Sequence, residues 1–215
     1  MSCNAPIPPI ILPNNNPFPG IWKPVLVKKP VIYLYPNQKM EVSLSLSYPG
    51  KIRTTYPKAI IEDNTYKWVI NAEPDGKLSL NGRTYNYIFW DAENALNFDM
   101  TKGFIVEGKQ SQEFLENKLA YLGLNSSEMN DFITFWLPEL ENNAYNLITF
   151  QQETYSRSVP LTISPKPDNL IRIFMVFQKL NDPQTVLNIP EPQLQELKRN
   201  DLQGFTAVEW GGAQL

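Results

Sequence analysis

The chain has 215 residues, 42% hydrophobic and 12% aromatic, which is ample for a packed core and incompatible with global disorder. Net charge is only −3, there is no histidine, and Cys3 is the single cysteine. These counts exclude Ser-His-Asp and Cys-His catalysis, zinc sites of the His or Cys type and an internal disulfide, and total charge gives nucleic-acid binding no support.

The first 30 residues carry Pro6, Pro8, Pro9, Pro13, Pro17, Pro19, Pro24 and Pro30. Proline fixes φ and donates no backbone hydrogen bond, so residues 1–30 are expected to form an extended polyproline II arm rather than a helix or an inner strand. Nothing from Met1 to Trp22 is charged, whereas Ile7, Ile10, Ile11, Leu12, Phe18, Ile21 and Trp22 are large and apolar, unlike a solvated linker. Such an arm either folds back over its own domain or docks, through Ile10, Ile11, Leu12, Phe18 and Trp22, on a second copy or another protein. No basic segment followed by an apolar core opens the chain, so no secretory signal is expected. No stretch approaches the roughly 18–20 apolar residues of a membrane helix. The lone cysteine makes an intracellular or particle-associated setting the expectation.

Residues 31–215 are expected to form one composite domain, with β-rich parts at 31–107 and 142–215 around a helical part at 108–141. Val31–Tyr35 is a continuous apolar run ended by Pro36 and reads as a buried strand. Val42, Leu44, Leu46 and Tyr48 alternate with Glu41, Ser43, Ser45 and Ser47, the period of a strand with one wet face. Pro49-Gly50 turns into a strand over Lys51–Tyr56, and Tyr66, Trp68 and Ile70 alternate again. Asn81-Gly82 signals a type I′ hairpin between Lys77–Leu80 and Arg83–Trp90. Phe104–Val106 reads as one more short strand.

Two helices follow. Ser111 is placed to cap the first, with Gly123 at its end. Asn125-x-x-Glu128 has the form of a capping box opening the second, which Pro138 should stop. The pattern then returns to strands at Asn146–Gln151, Val159–Ser164, Leu170–Leu180 and Phe205–Trp210, with at most a short helix near Leu194–Arg199. Strands, then helices, then strands predict an α+β fold, antiparallel and β-rich, with sandwich-like sheets and two central helices. Tyr-Pro recurs at 35–36, 48–49 and 56–57 and should end a strand each time.

Charge is uneven. Up to Lys58, seven basic residues (Lys23, Lys28, Lys29, Lys39, Lys51, Arg53 and Lys58) face one acid, Glu41, while acids outnumber lysines from Asp91 to Glu141. This asymmetry suits either head-to-tail association and an anionic partner or nothing more than solvated outer faces. The carboxylates that follow apolar elements, Asp91, Glu93, Glu139 and Glu141, are the candidates for paired-carboxylate glycoside chemistry. No spacing suggests a metal site or a cofactor. Arg172 and Glu209 are each the lone charge in an apolar run; if their strands are neighbours, a buried pair would satisfy both. Tyr33, Tyr35, Trp68, Tyr87, Trp90, Trp136 and Trp210 form either a ligand platform or, at strand spacing, core.

Lys29–Pro36 (KPVIYLYP), Ile88–Trp90 (IFW), Phe135–Pro138 (FWLP), Tyr145–Ile148 (YNLI), Ile171–Phe177 (IRIFMVF) and Gly204–Gly212 (GFTAVEWGG) together resemble a group of uncharacterised proteins of bacteria and large DNA viruses of amoebae. The likeness spans about residues 29–212, leaves out the arm, and implies no catalytic residue. The expectation is a non-enzymatic structural or interaction protein that uses its arm to bind itself or another protein. If the source is viral, it would be a component of the virion or of the virus factory in the host cytoplasm. The alternatives are a carbohydrate-binding or glycoside-cleaving module, which as an enzyme would be a carboxylate-based hydrolase, and a nucleic-acid-associated protein using the basic front.

Overall fold

The computed structural model describes residues 26–93, 95–182, 189–191, 199 and 202–215. The arm positions Ile10, Ile11, Leu12, Phe18 and Trp22, and most of the helix expected near Leu194–Arg199, lie outside the described residues. The strands in chain order are β1 (Leu26–Tyr35), β2 (Met40–Ser47), β3 (Ile52–Tyr56), β4 (Ile60–Glu62), β5 (Thr65–Ala72), β6 (Leu78–Leu80), β7 (Arg83–Tyr85), β8 (Ile88–Glu93) and β9 (Phe104–Glu107). Helices α1 (Ser111–Tyr121) and α2 (Ser126–Leu140) follow, then β10 (Tyr145–Phe150), α3 (Gln152–Ser158), β11 (Leu161–Ser164), β12 (Asn169–Leu180) and β13 (Thr206–Gln214).

The fold is α+β and β-rich, with two stacked sheets. A seven-stranded sheet runs β3-β8-β1-β13-β12-β10-β9, and a second runs β11-β2-β5-β6-β7 with β4 paired to β5. Every pairing is antiparallel except β12 with β13. The larger sheet is the middle of three layers. Ile32, Leu34, Phe174, Val176 and Ala207 pack toward the second sheet, against Val42, Leu44, Leu46, Trp68 and Ile70. Their neighbours Val31, Tyr33, Ile173, Met175, Val208 and Trp210 pack the other way, against Leu115, Leu119, Phe132, Trp136 and Leu140 of α1 and α2. Burial on both faces explains why β1 from Val31 on, and most of β12 and β13, are apolar on both sides of the strand, while β2, with one wet face, alternates.

Several boundaries differ from those predicted. β1 starts at Leu26, so the last five residues assigned to the arm are strand, with Pro30 inside an inner strand. Lys29 has φ 51°, and the registers with both neighbours shift between the pairings flanking Pro30. A bulge therefore takes up the proline where the ladder is already interrupted. β13 continues through Gly211 and Gly212 instead of stopping at Trp210. A Cβ on Gly211 would stand 2.9 Å from the Pro30 ring, and one on Gly212 would collide with the Met175 carbonyl and lie 2.7 Å from Trp136. Arg83–Trp90 is not one strand: Asn86–Tyr87 is a corner at which the chain leaves the second sheet for the first. The Tyr56–Pro57 peptide at the end of β3 is cis.

The capping box at α2 is formed by Asn125 Oδ1 accepting from the Glu128 amide (2.9 Å) and Glu128 Oε2 accepting from the Asn125 amide (2.8 Å). Pro138 does not stop this helix, which runs on to Leu140. In the last turn its ring costs a single amide donor, and the helix still closes with the Glu141 amide on the Leu137 carbonyl. Ser111 is the first residue of α1 rather than its cap, and its hydroxyl faces Asn146 at 3.4 Å. α3 is an additional helix without an apolar stripe; its buried residue is Tyr155. No helix among the described residues is long and apolar enough to cross a membrane.

Candidate functional site

The bulge in β1 shapes the site. In a regular strand, consecutive side chains point to opposite faces. Here Lys28 and Lys29 both reach α2. Lys28 Nζ lies 3.6 Å from Glu139, and Lys29 Nζ lies 5.2 Å from the centre of the Phe135 ring. Lys29 Nζ also stands 5.7 Å from Trp210 and 5.9 Å from Tyr87, so one ammonium is shared among three aromatic faces. A lysine in left-handed conformation costs on the order of 1 kcal/mol, and the cation–π contacts offset that cost.

Beside Lys29 is a cavity of about 480 Å³ lined by Lys28, Lys29, Tyr56, Tyr87, Phe89, Asp91 and Phe135. A second, of about 320 Å³, is lined by Tyr56, Lys77, Thr84, Tyr85, Asn86 and Tyr87. Tyr56 and Tyr87 border both, so the two form one groove. It starts at the β1 bulge, passes the edge strand β3 and ends at the sheet-switching corner. Tyr56 is 56% exposed and stands edge-on to Tyr85, with ring centres 5.2 Å apart. The groove thus has an apolar end with two lysines and Asp91, and a more polar end with Lys77, Thr84 and Asn86.

The four carboxylates singled out from the sequence are not gathered into a pair within this groove. Asp91 is the one carboxylate among its lining residues. Its Oδ2 lies 3.8 Å from Arg53, while its Oδ1 is buried without a hydrogen-bond partner. Glu93 is 4.0 Å from Lys51, and Glu139 is held by Lys28. Glu141 is exposed just past the end of α2. Three of these acids are therefore matched with three cations of the basic front inside one fold, so much of the charge asymmetry needs no partner. Such partly exposed pairs add little stability. Among the described residues, no three His, Cys, Asp or Glu side chains are placed to hold a metal ion.

Arg172 and Glu209 are register partners on the parallel strands β12 and β13, with Nε 2.6 Å from Oε2. Both face the core between the sheets, with side chains 6% and 1% exposed. Arg172 Nη1 donates to the Val159 carbonyl (2.8 Å), and Glu209 Oε1 accepts from the hydroxyl of Tyr155 (3.1 Å) and, at 3.4 Å, from the Trp90 indole. The guanidinium also lies 4.7 Å from the Tyr155 ring centre. This enclosed network borders neither part of the groove.

A second polar network ties α2 to β1. The Tyr33 hydroxyl donates to Asp131 (2.8 Å), and Asn125 approaches the Tyr35 hydroxyl (3.4 Å). Buried Glu128 lies 3.3 Å from Arg199, whose guanidinium stacks 4.9 Å from the Tyr35 ring. Of the seven aromatics considered from the sequence, Tyr33, Trp68, Trp90, Trp136 and Trp210 are core, Tyr35 is half-buried, and Tyr87 lines the groove. The other groove aromatics, Tyr56, Tyr85, Phe89 and Phe135, have no spacing that marks them out as a group. The alternation of Tyr87 and Phe89 is a local signal that these two share a direction, and both pack on the helix side of the larger sheet.

These networks predict an alkaline weakness. Burial, reinforced by Asp131, pushes the Tyr33 phenol far above its ordinary 10.0. Burial together with Glu128 raises Tyr35, and burial together with Glu209 raises Tyr155. A raised folded value means that the unfolded chain loses its proton first, so the full stability below pH 10 declines as pH rises. Each of the three should cost at most about 1.4 kcal/mol per pH unit above 10, with half-buried Tyr35 costing less than Tyr155. Urea unfolding at about pH 9, 10 and 11, with tyrosinate absorbance as a second reading, checks this. Unchanged stability at the highest pH would contradict it.

The site belongs to a class defined by its shape: a three-layer α+β domain with an aromatic groove at a bulged inner strand. No family model and no solved structure matches the chain. It is similar to the "Uncharacterized protein in bglA 3'region" of Butyrivibrio fibrisolvens, 42% identical over 66 residues, which is 30% of this chain. The chain spans 66% of that relative's length.

Proposed function

We propose that the protein is a non-enzymatic interaction protein whose groove takes an extended, proline-rich polypeptide. The observation that carries this is the set of partly exposed rings of Tyr56, Tyr85, Tyr87, Phe89 and Phe135 along two cavities that have Tyr56 and Tyr87 in common. Aromatic grooves suit polyproline II segments because those segments are preformed, present flat apolar rings and lose little entropy on docking. Asp91 places a carboxylate at one end, and Asn86 and Thr84 supply polar groups at the other. The basic front supports a nucleic-acid role poorly, since Lys28, Lys51 and Arg53 are each matched with an acid.

A titration of the full chain with a synthetic proline-rich peptide, followed by amide chemical shifts, tests the proposal. Shifts should concentrate at Tyr56, residues 85–89 and Phe135. Removing the Tyr56 ring (Tyr56→Ala) should weaken binding about tenfold, a loss near 1.4 kcal/mol, as expected for an aromatic anchor. The polar end also suits a sugar, so a glycan array is the companion measurement. Glycan binding at these positions without peptide binding would replace this reading with a carbohydrate-binding one.

A further inference from the structure

Resting on that reading of the groove, we infer that its occupant is the proline-rich N-terminal segment of a second copy of this chain, exchanged reciprocally. Three observations support it. The first is composition. The segment up to Trp22 is uncharged, proline-rich and carries Ile7, Ile10, Ile11, Leu12, Phe18, Ile21 and Trp22, a ligand of the class that the groove suits.

The second is direction. Pairing fixes β1 from its first residues, with Leu26 opposite Glu93 and Val27 opposite Ala92 and Ala213. Farther along, Val31 stands opposite Phe89 and Ile32 opposite Ile88, so the groove residues Asp91, Phe89 and Tyr87 follow one another in the forward sense of β1. Leu26 therefore stands at the end of β1 away from Phe89 and Tyr87.

The third is reach and area. In polyproline II conformation, 25 residues span about 75 Å, against a diameter of roughly 45 Å for a domain of this length. The apolar side chains of one such segment offer on the order of 1,000 Å². Two exchanged segments therefore carry enough surface for a standard interface of about 1,600 Å². Reciprocal exchange also closes with two-fold symmetry, leaving each groove filled once.

Cys3, the single cysteine, gives a unique label position. In the decisive experiment, full-length Cys3→Ser chain enriched in ¹⁵N is mixed in equal amounts with unenriched chain carrying a nitroxide at Cys3. Exchange between copies should broaden the amides of Tyr87, Phe89 and Phe135 in the enriched chain. Broadening confined to a sample in which one chain carries both labels would show the segment on its own groove, and broadening in neither sample would place it elsewhere. Either result overturns the inference, whereas the peptide titration reports separately on the groove. By sedimentation, Tyr56→Ala should raise the dimer dissociation constant about tenfold. Leu170→Ser, also an exposed apolar position but outside the groove, should leave it unchanged. Equal dissociation constants for Tyr56→Ala and the parent chain would also overturn it.

Discussion

Replacing Glu209 with alanine should destabilise the protein by about 3–5 kcal/mol, because it strands the Arg172 guanidinium between the two sheets. Arg172 is in contact with Glu209 at 2.6 Å and with the Val159 carbonyl at 2.8 Å, and its Nη2 already lacks a partner. Without Glu209, the Tyr155 hydroxyl and the Trp90 indole also lose their acceptor. Urea unfolding at neutral pH measures the loss. The double replacement Arg172→Met with Glu209→Leu should cost less than Glu209→Ala alone, since it removes both charges at similar volume. If the double variant is the less stable of the two, the stranded charge is not the source of the effect.

Trp136→Ala should cost a similar amount, about 3–5 kcal/mol, for a different reason. Trp136 is fully buried, lies edge-on to Phe135 (4.9 Å between ring centres) and Phe177 (6.0 Å), and sits over Gly212. At Gly212 both the Met175 carbonyl and the Trp136 ring occupy the space a Cβ would need, so the ring lies directly on strand backbone, and removing it leaves a cavity beside a sheet that moves little. Thermal or urea unfolding gives the magnitude, and a loss below about 1 kcal/mol would mean that the site refills. Trp136→Phe, which keeps a ring in the slot, should recover part of the loss.

Local signals carried much of the fold. The alternation of Val42, Leu44 and Leu46, the Asn81-Gly82 turn and the Asn125–Glu128 box each depend on neighbours within a few residues, and each corresponds to an element in the structure. The boundaries that moved depended on distant partners. Pro30 is tolerated inside β1 because Gly211, far along the chain, leaves room for its ring. The sheet change at Asn86–Tyr87 has no local marker, because both halves of Arg83–Trp90 have strand character and only the partner strands differ. α3 has no stripe to detect, since Tyr155 is its one buried side chain.

The sequence by itself determined the chemistry that is absent, from its lack of histidine and single cysteine, and the class of fold, from periods of two and 3.6. It also showed that Arg172 and Glu209 were charges in apolar runs. Tertiary structure alone decided that Asp91, Glu93 and Glu139 meet Arg53, Lys51 and Lys28 rather than one another. It also built the groove from β1, β3, the corner before β8 and α2. The physical reason is that periodicity reports which face a side chain occupies, whereas its neighbours on that face depend on strand order and on where the ladder bulges. Here one left-handed lysine turns two consecutive side chains toward the same helix.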